Sequence, residues 1–275
     1  MKKFENIIIV TDLDGTFLND SEGLVERNVR AVEYFKSNGG LFTIATGRAT
    51  EHARGAVPHI EELINFPAVT CNGACLYDFS REQAPFINQI DHERALRLVE
   101  HIHSKYPSAG VRLSTPEYCF ACTPEDAKNK FISEELKKYP TSNVILPMSE
   151  WHRLTILKIV IRIDAELLDI ALPELSERFS GEFEFTRSWS TIIDIQPSGI
   201  NKGKTIKKYI RERFGDNATL YACGDYLNDL EMLKEADIAV CPSNAQNEVK
   251  EICDLCLCSN NEGLIADLVE YIENR

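Results

Sequence analysis

The chain has 275 residues, enough for one large domain or two smaller ones around a buried core, with no need of a disulfide or metal staple. Acidic residues outnumber basic ones by 43 to 30, a net charge of −13, so the average field repels nucleic acid and anionic lipid. An anionic substrate would need a metal ion or a placed lysine to reverse that field locally.

Taken in chain order, two lysines and a short apolar run lead at once into an aspartate pair, with no small-residue cleavage site, so no signal peptide is expected. The apolar runs are strand-length, well below the ~20 residues that span a bilayer. Cytoplasmic residence, with the nine cysteines mostly reduced, is the expectation. NIIIV at 6–10 predicts a first strand. Val25, Val29 and Val32 predict a helix closed by Asn38, Gly39 and Gly40, and LFTIA at 41–45 a second strand.

The middle of the chain reads differently. GVRLSTPEYCFAC and GEFEFTRSWSTIIDI predict antiparallel hairpins, TILKIVIRI a strand with one polar face, and ELLDIALPELSERFS a helix. These place a second, α+β domain at 83–187, inserted into an α/β core made of 1–82 and 188–275. Further on, Ile206, Tyr209, Ile210 and Phe214 predict a helix closed by Gly215, followed by strands at 219–223, 237–241 and 255–258. Continuous apolarity in these runs implies strands buried on both faces, and the βαβ alternation implies a parallel sheet.

Chemistry-bearing residues gather at strand ends, where open parallel sheets bind their ligands. The first strand runs into Asp12-Leu13-Asp14-Gly15-Thr16. Alternation points Asp12 and Asp14 to one side, so one could act as nucleophile and the other as proton donor and acceptor. Alone, the same string fits a turn with an Asx cap. Thr46, Gly47 and Arg48 follow the second strand, where a hydroxyl and a glycine amide can bind phosphate oxygens; Thr46 by itself would read as a helix cap. After the strand at 219–223 come Gly224 and Asp225, with Asn228 and Asp229 expected on one face of the next helix. Such hard oxygen donors favour magnesium, although an acidic helix start alone would also suit the dipole.

Between these segments, Gly199 to Lys204 resembles a nucleotide-binding phosphate loop, but only three residues separate Gly199 from Gly203 where that loop needs four. The better reading is a lysine at a helix start, Lys202, offsetting crowded carboxylates, with Lys204 on the surface. Cys253, Cys256 and Cys258 make C-x2-C-x-C, but Cys256 and Cys258, like Cys223 and Cys241, lie in apolar strand runs and read as small buried residues rather than a metal or redox cluster. His101 and His103, two apart in a helix, do not share a face. Phe183, Phe185 and Trp189 alternate along a strand and read as core.

As a set, DLDGT, TGR, Lys202 in NKG and GDYLND resemble the haloacid dehalogenase superfamily, specifically the Cof-type phosphatases with an α+β cap of the C2B kind. The resemblance implies a Rossmann-like core with a mobile cap and hydrolysis through an aspartyl-phosphate. It implies Asp12 as nucleophile and Asp14 as general acid and base. Magnesium would be held by Asp12, the main-chain oxygen of Asp14 and Asp225, with Asp229 in support. Thr46, Gly47, Lys202 and Asn228 would hold the phosphoryl group, and Asn72 in CNGA, where Cys71 replaces the usual serine, would touch substrate. The implied partner is a small phosphorylated metabolite, with sugar phosphates foremost; a phosphomutase sharing the intermediate and a catalytically silent regulatory protein are the alternatives.

Overall fold

The computed structural model describes residues 2–116, 118, 120–138 and 142–275. The chain divides into two compact units, one made of Met1–Arg48, Ala53–Phe86 and Asn201–Arg275, the other of Ala49–His52 and Ile87–Ile200.

The first unit is built on a five-stranded parallel sheet in the order Leu255–Leu257, Ile238–Pro242, Thr219–Cys223, Ile7–Thr11, Leu41–Ile44. Alternate residues of each strand supply two separate cores. Ile9, Phe42, Ile44, Tyr221 and Val240 join Val32, Phe35, Leu268 and Val269 on one side. Ile8, Val10, Leu220, Ala222 and Cys241 join Ile206, Ile210 and Met232 on the other. Burying an Ile, Val or Leu side chain contributes roughly 1.5–3 kcal/mol, so helices must cover both faces, which is why the strands read as unbroken apolar runs. Helices Glu26–Ser37 and Lys202–Phe214 end at Asn38 and Gly215, at the expected caps. From the first strand the chain goes to Leu41–Ile44 on one side, and later strands are laid on the other. The carboxyl ends of Ile7–Thr11 and Thr219–Cys223 therefore flank the point where strand order reverses, where such sheets bind ligands.

The second unit holds a six-stranded sheet in the order Phe183–Trp189, Ile192–Pro197, Lys158–Arg162, Gly110–Ser114, Phe120–Cys122, Asn143–Ile145, antiparallel except for the last pair. Both expected hairpins are present; Glu117 and Cys119 of the first lie outside the described residues. Leu113, Ile159, Ile161, Ile193 and Ile195 pack against Leu98, Ile102, Leu168 and Leu175 of helices His92–Lys105 and Ala165–Arg178. Register turns Lys158 and Asp194 to the opposite face, where Lys158 Nζ donates to Asp194 Oδ2 at 2.9 Å and both are buried.

The long stretch of the second unit, Ile87–Ile200, starts and ends later than expected. Gln83–Ile87 pairs with Cys75–Asp78 in a small three-stranded sheet, and Ile192–Pro197 belongs to the six-stranded sheet, so a boundary at 187 cuts through a hairpin. Neither crossing is marked by a change in composition. Phe183 is core, whereas Trp189, beyond a register shift at the hairpin's end, is 62% exposed. Cys223 and Cys241 are buried, but Cys256 is exposed and Cys258 half-buried, because Leu255–Leu257 is an edge strand. His101 and His103 face different partners, Glu174 and Asp126. Among the described residues no helix is long and apolar enough to cross a membrane.

Candidate active site

Asp12 follows the first strand, and its N–H bonds the carbonyl of Cys223 at 2.8 Å, stitching the ends of the two neighbouring strands together. The chain then turns sharply through Leu13–Phe17, with Gly15 in the left-handed region at φ +79°. A Cβ on Gly15 would stand 2.5 Å from Asp225 Oδ2, so only glycine lets the two strand ends close on each other. Thr16 Oγ1 donates to Asp225 Oδ1 at 2.6 Å, and Asn244 Nδ2 to the carbonyl of Gly15 at 2.8 Å.

Lys202 is the first residue of its helix, capped by Asn201 Oδ1, which accepts the N–H of Lys204 at 2.8 Å. Its ammonium, 1% exposed, donates to Asp12 Oδ1 at 2.6 Å and to Asp229 Oδ1 at 2.7 Å. The other oxygen of Asp229 accepts the backbone N–H groups of Asp225 at 3.1 Å and Tyr226 at 3.2 Å. Lys204 is exposed, as expected.

Asp12, Asp225 and Asp229 each offer a carboxylate oxygen, all within 4.8 Å of one another. Three carboxylates thus share one ammonium in a water-poor place. Burial, and then the charges of Asp229, Asp225 and Asp14, push the Asp12 carboxyl well above its usual range despite Lys202. Burial and Asp229 push Asp225 up to about 7, against the pull of Thr16 and Lys202. Burial pulls Lys202 down, but Asp12 and Asp229 outweigh it and hold the ammonium above the ordinary lysine value. The cluster is over-charged with hard oxygen donors, and a divalent cation such as magnesium fits that donor set.

The carboxylate of Asp14 is not part of this trio. It is half exposed and held by Arg48, whose Nε donates to Oδ2 at 2.9 Å and Nη2 to Oδ1 at 2.5 Å. Thr46, Gly47 and Arg48 follow the second strand, with Thr46 fully buried and its Oγ1 accepting the N–H of Arg48 at 3.2 Å. Asn72 is also buried: its N–H bonds the carbonyl of Thr46 at 3.1 Å, and a Cβ on Gly47 would come 2.9 Å from its Oδ1. Cys71, Asn72 and Gly73 all have positive φ, a rare run, and a Cβ on Gly73 would collide with the carbonyl of Asn201 at 2.4 Å. This turn therefore seats against the start of the Lys202 helix, where Thr205 Oγ1 donates to the carbonyl of Gly73 at 2.8 Å.

One expectation is corrected. Asn228 and Asp229 do not share a face of a following helix, because Leu227–Asp229 is a single 3-10 turn ahead of the helix Leu230–Glu235. Adjacent residues point in different directions, so Asp229 is fully buried while Asn228 is half-buried. Sequence reasoning assigned no role to Thr16 or Arg48, although both stood inside quoted motifs. Among the described residues, the cysteines form no group able to hold a metal, and the aspartate trio does.

A family model described as haloacid dehalogenase-like hydrolase matches residues 9–269. A 5-amino-6-(5-phospho-D-ribitylamino)uracil phosphatase of Bacillus subtilis is 30% identical over 266 residues, covering 96% of this chain and 94% of the relative. A pyridoxal phosphate phosphatase of Escherichia coli is 25% identical, covering 95% of this chain and 97% of its own. In fold, a HAD/COF-like hydrolase structure from Plasmodium vivax superposes with a TM-score of 0.84 at 20% identity, covering 98% of this chain and 96% of that one.

Proposed function

The chain belongs to the haloacid dehalogenase-like hydrolases, as a Cof-type phosphatase, and on that premise we propose a magnesium-dependent phosphatase of small phosphorylated metabolites, sugar phosphates foremost, that works through Asp12. The observation that carries the reading is the convergence of Asp12, Asp225 and Asp229 within 4.8 Å around the buried Lys202 ammonium.

In this reading Lys202 holds Oδ1 of Asp12 and so orients the carboxylate for in-line attack on phosphorus. The bond from Asp12 to phosphorus forms as the bond to the leaving oxygen breaks, and Asp14 gives that oxygen a proton. Water then attacks the aspartyl-phosphate, Asp14 takes its proton, inorganic phosphate departs and Asp12 is restored. Asp12, Asp225, Asp229 and the main-chain oxygen of Asp14 would hold magnesium, which when bound supplies the charge that lets a phosphate dianion approach. Thr46, Gly47, Lys202 and Asn228 bind the phosphoryl oxygens. Asn72, buried beside the Gly47 turn, touches the substrate. The second unit serves as the family's cap, and the chain works in the cytoplasm, free of nucleic acid and membrane.

The test is phosphate release across sugar phosphates, pyridoxal phosphate and the phosphoribitylaminouracil, with and without magnesium. Magnesium-dependent release that chelation abolishes, with a hydroxylamine-labile phosphoenzyme absent from Asp12→Asn, is the expected result. No release from any of these substrates would overturn the reading.

A further inference from the structure

Asp14 has the most exacting task in the proposed cycle, delivering a proton and then accepting one, yet its side chain is 51% exposed and stands on a sharp turn. An exposed aspartate on a turn samples several rotamers, and each wrong one costs catalysis. Arg48 removes that freedom. Its side chain is only 11% exposed, and its backbone is tied at both ends, the N–H to Thr46 Oγ1 at 3.2 Å and the carbonyl to the N–H of Cys71 at 2.9 Å. From this anchor the planar guanidinium engages both oxygens of Asp14, which sets the plane of the carboxylate as well as its position. Glu22 Oε2 stands 3.7 Å from the same guanidinium and adds a second carboxylate that steadies it.

We propose that Arg48 is a positioning residue for general acid–base catalysis, aiming Asp14 at the leaving oxygen. This inference rests on the phosphatase reading above and deepens it. A lysine could match the charge but not the two-point fork, so Arg48→Lys should recover only part of what Arg48→Ala loses.

The test compares wild type, Arg48→Ala, Arg48→Lys, Asp14→Asn and the Arg48→Ala/Asp14→Asn double variant, with magnesium, on an alkyl phosphate and on para-nitrophenyl phosphate. The value of kcat/KM covers the steps up to loss of the leaving group, and nitrophenolate departs without a proton whereas an alkoxide does not. Arg48→Ala is expected to lose about tenfold to a hundredfold on the alkyl phosphate and under about threefold on the nitrophenyl ester, Arg48→Lys falling between it and wild type. On the alkyl phosphate the double variant should be no slower than Asp14→Asn alone. Equal losses on both substrates, as for a residue that binds the shared phosphoryl group or only maintains the fold, would overturn the inference, as would additive losses in the double variant. A wild type idle on both esters would overturn the phosphatase reading itself, and this inference with it.

Discussion

Each unit of this protein buries a lysine among carboxylates, and the two clusters behave in opposite ways. In the second unit Lys158 donates to Asp194, and that cation, helped by Ser188 and Arg112, keeps the Asp194 carboxyl below its ordinary range even though burial pushes it up. In the first unit Lys202 is divided between Asp12 and Asp229, with Asp225 alongside, and the carboxyls of Asp12 and Asp225 are pushed up. A cluster that neutralises itself is complete as part of the fold. One left with surplus negative charge, in a protein already at −13, is built to receive something positive.

Changing one residue on each side tests that contrast most severely. Asp12→Asn should lower turnover on the order of 10⁴-fold or more while its thermal midpoint holds or rises, because the change relieves repulsion. Asp194→Asn should do the reverse, removing a buried negative charge that Lys158 is bonded to and costing about 3–5 kcal/mol in denaturant melts. If both variants lose stability alike, the two clusters are of one kind.

Magnesium provides the next comparison. At a hundredfold its dissociation constant, a cation that binds only the folded protein adds about 2.7 kcal/mol, so the wild-type melting midpoint should rise with magnesium. In Asp225→Asn that rise should be largely lost, and in Asp194→Asn it should survive, as read by calorimetry. A rise that persists in Asp225→Asn would place the cation elsewhere.

Acidity separates the clusters more gently. The folded-state value of about 7 for Asp225 lies above the unfolded value near 3.9. Between those values the folded protein binds the extra proton, so metal-free stability should fall as pH rises from about 4 to 7 and level off above. Asp194, shifted down, adds stability above the unfolded carboxylate value that is lost as pH drops through its folded one. Smallest is the effect at His103, raised chiefly by its bond to Asp126. The advantage of wild type over His103→Gln should be largest below about pH 6.5 and fade as pH climbs through the raised value, a difference under about 1 kcal/mol in pH-resolved melts.

Much of this was legible in the chain, for reasons that differ by element. The core strands announced themselves because burial on both faces forces an unbroken apolar run, as in Ile7–Thr11 and Thr219–Cys223. Asp12, Asp225 and Lys202 were legible because each sits at a strand end or helix start, where local geometry limits what a side chain can reach. The unit boundaries were not, since Gln83–Ile87 and Ile192–Pro197 are ordinary strands whose partners lie elsewhere in the chain. Nor was the edge position of Leu255–Leu257, which leaves Cys256 exposed in what reads as a core strand.

By itself, then, the sequence determined the parallel core, its strand-end carboxylates and the family, because periodicity, caps and ordered motifs are local properties of a chain. Only the tertiary structure decided which charge meets which: the sharing of Lys202 by Asp12 and Asp229, the seat of Asp225 on Thr16, and the fork of Arg48 on Asp14. Those pairings join residues from 27 to 209 positions apart, and strand order and register, which no local spacing encodes, bring them within bonding distance.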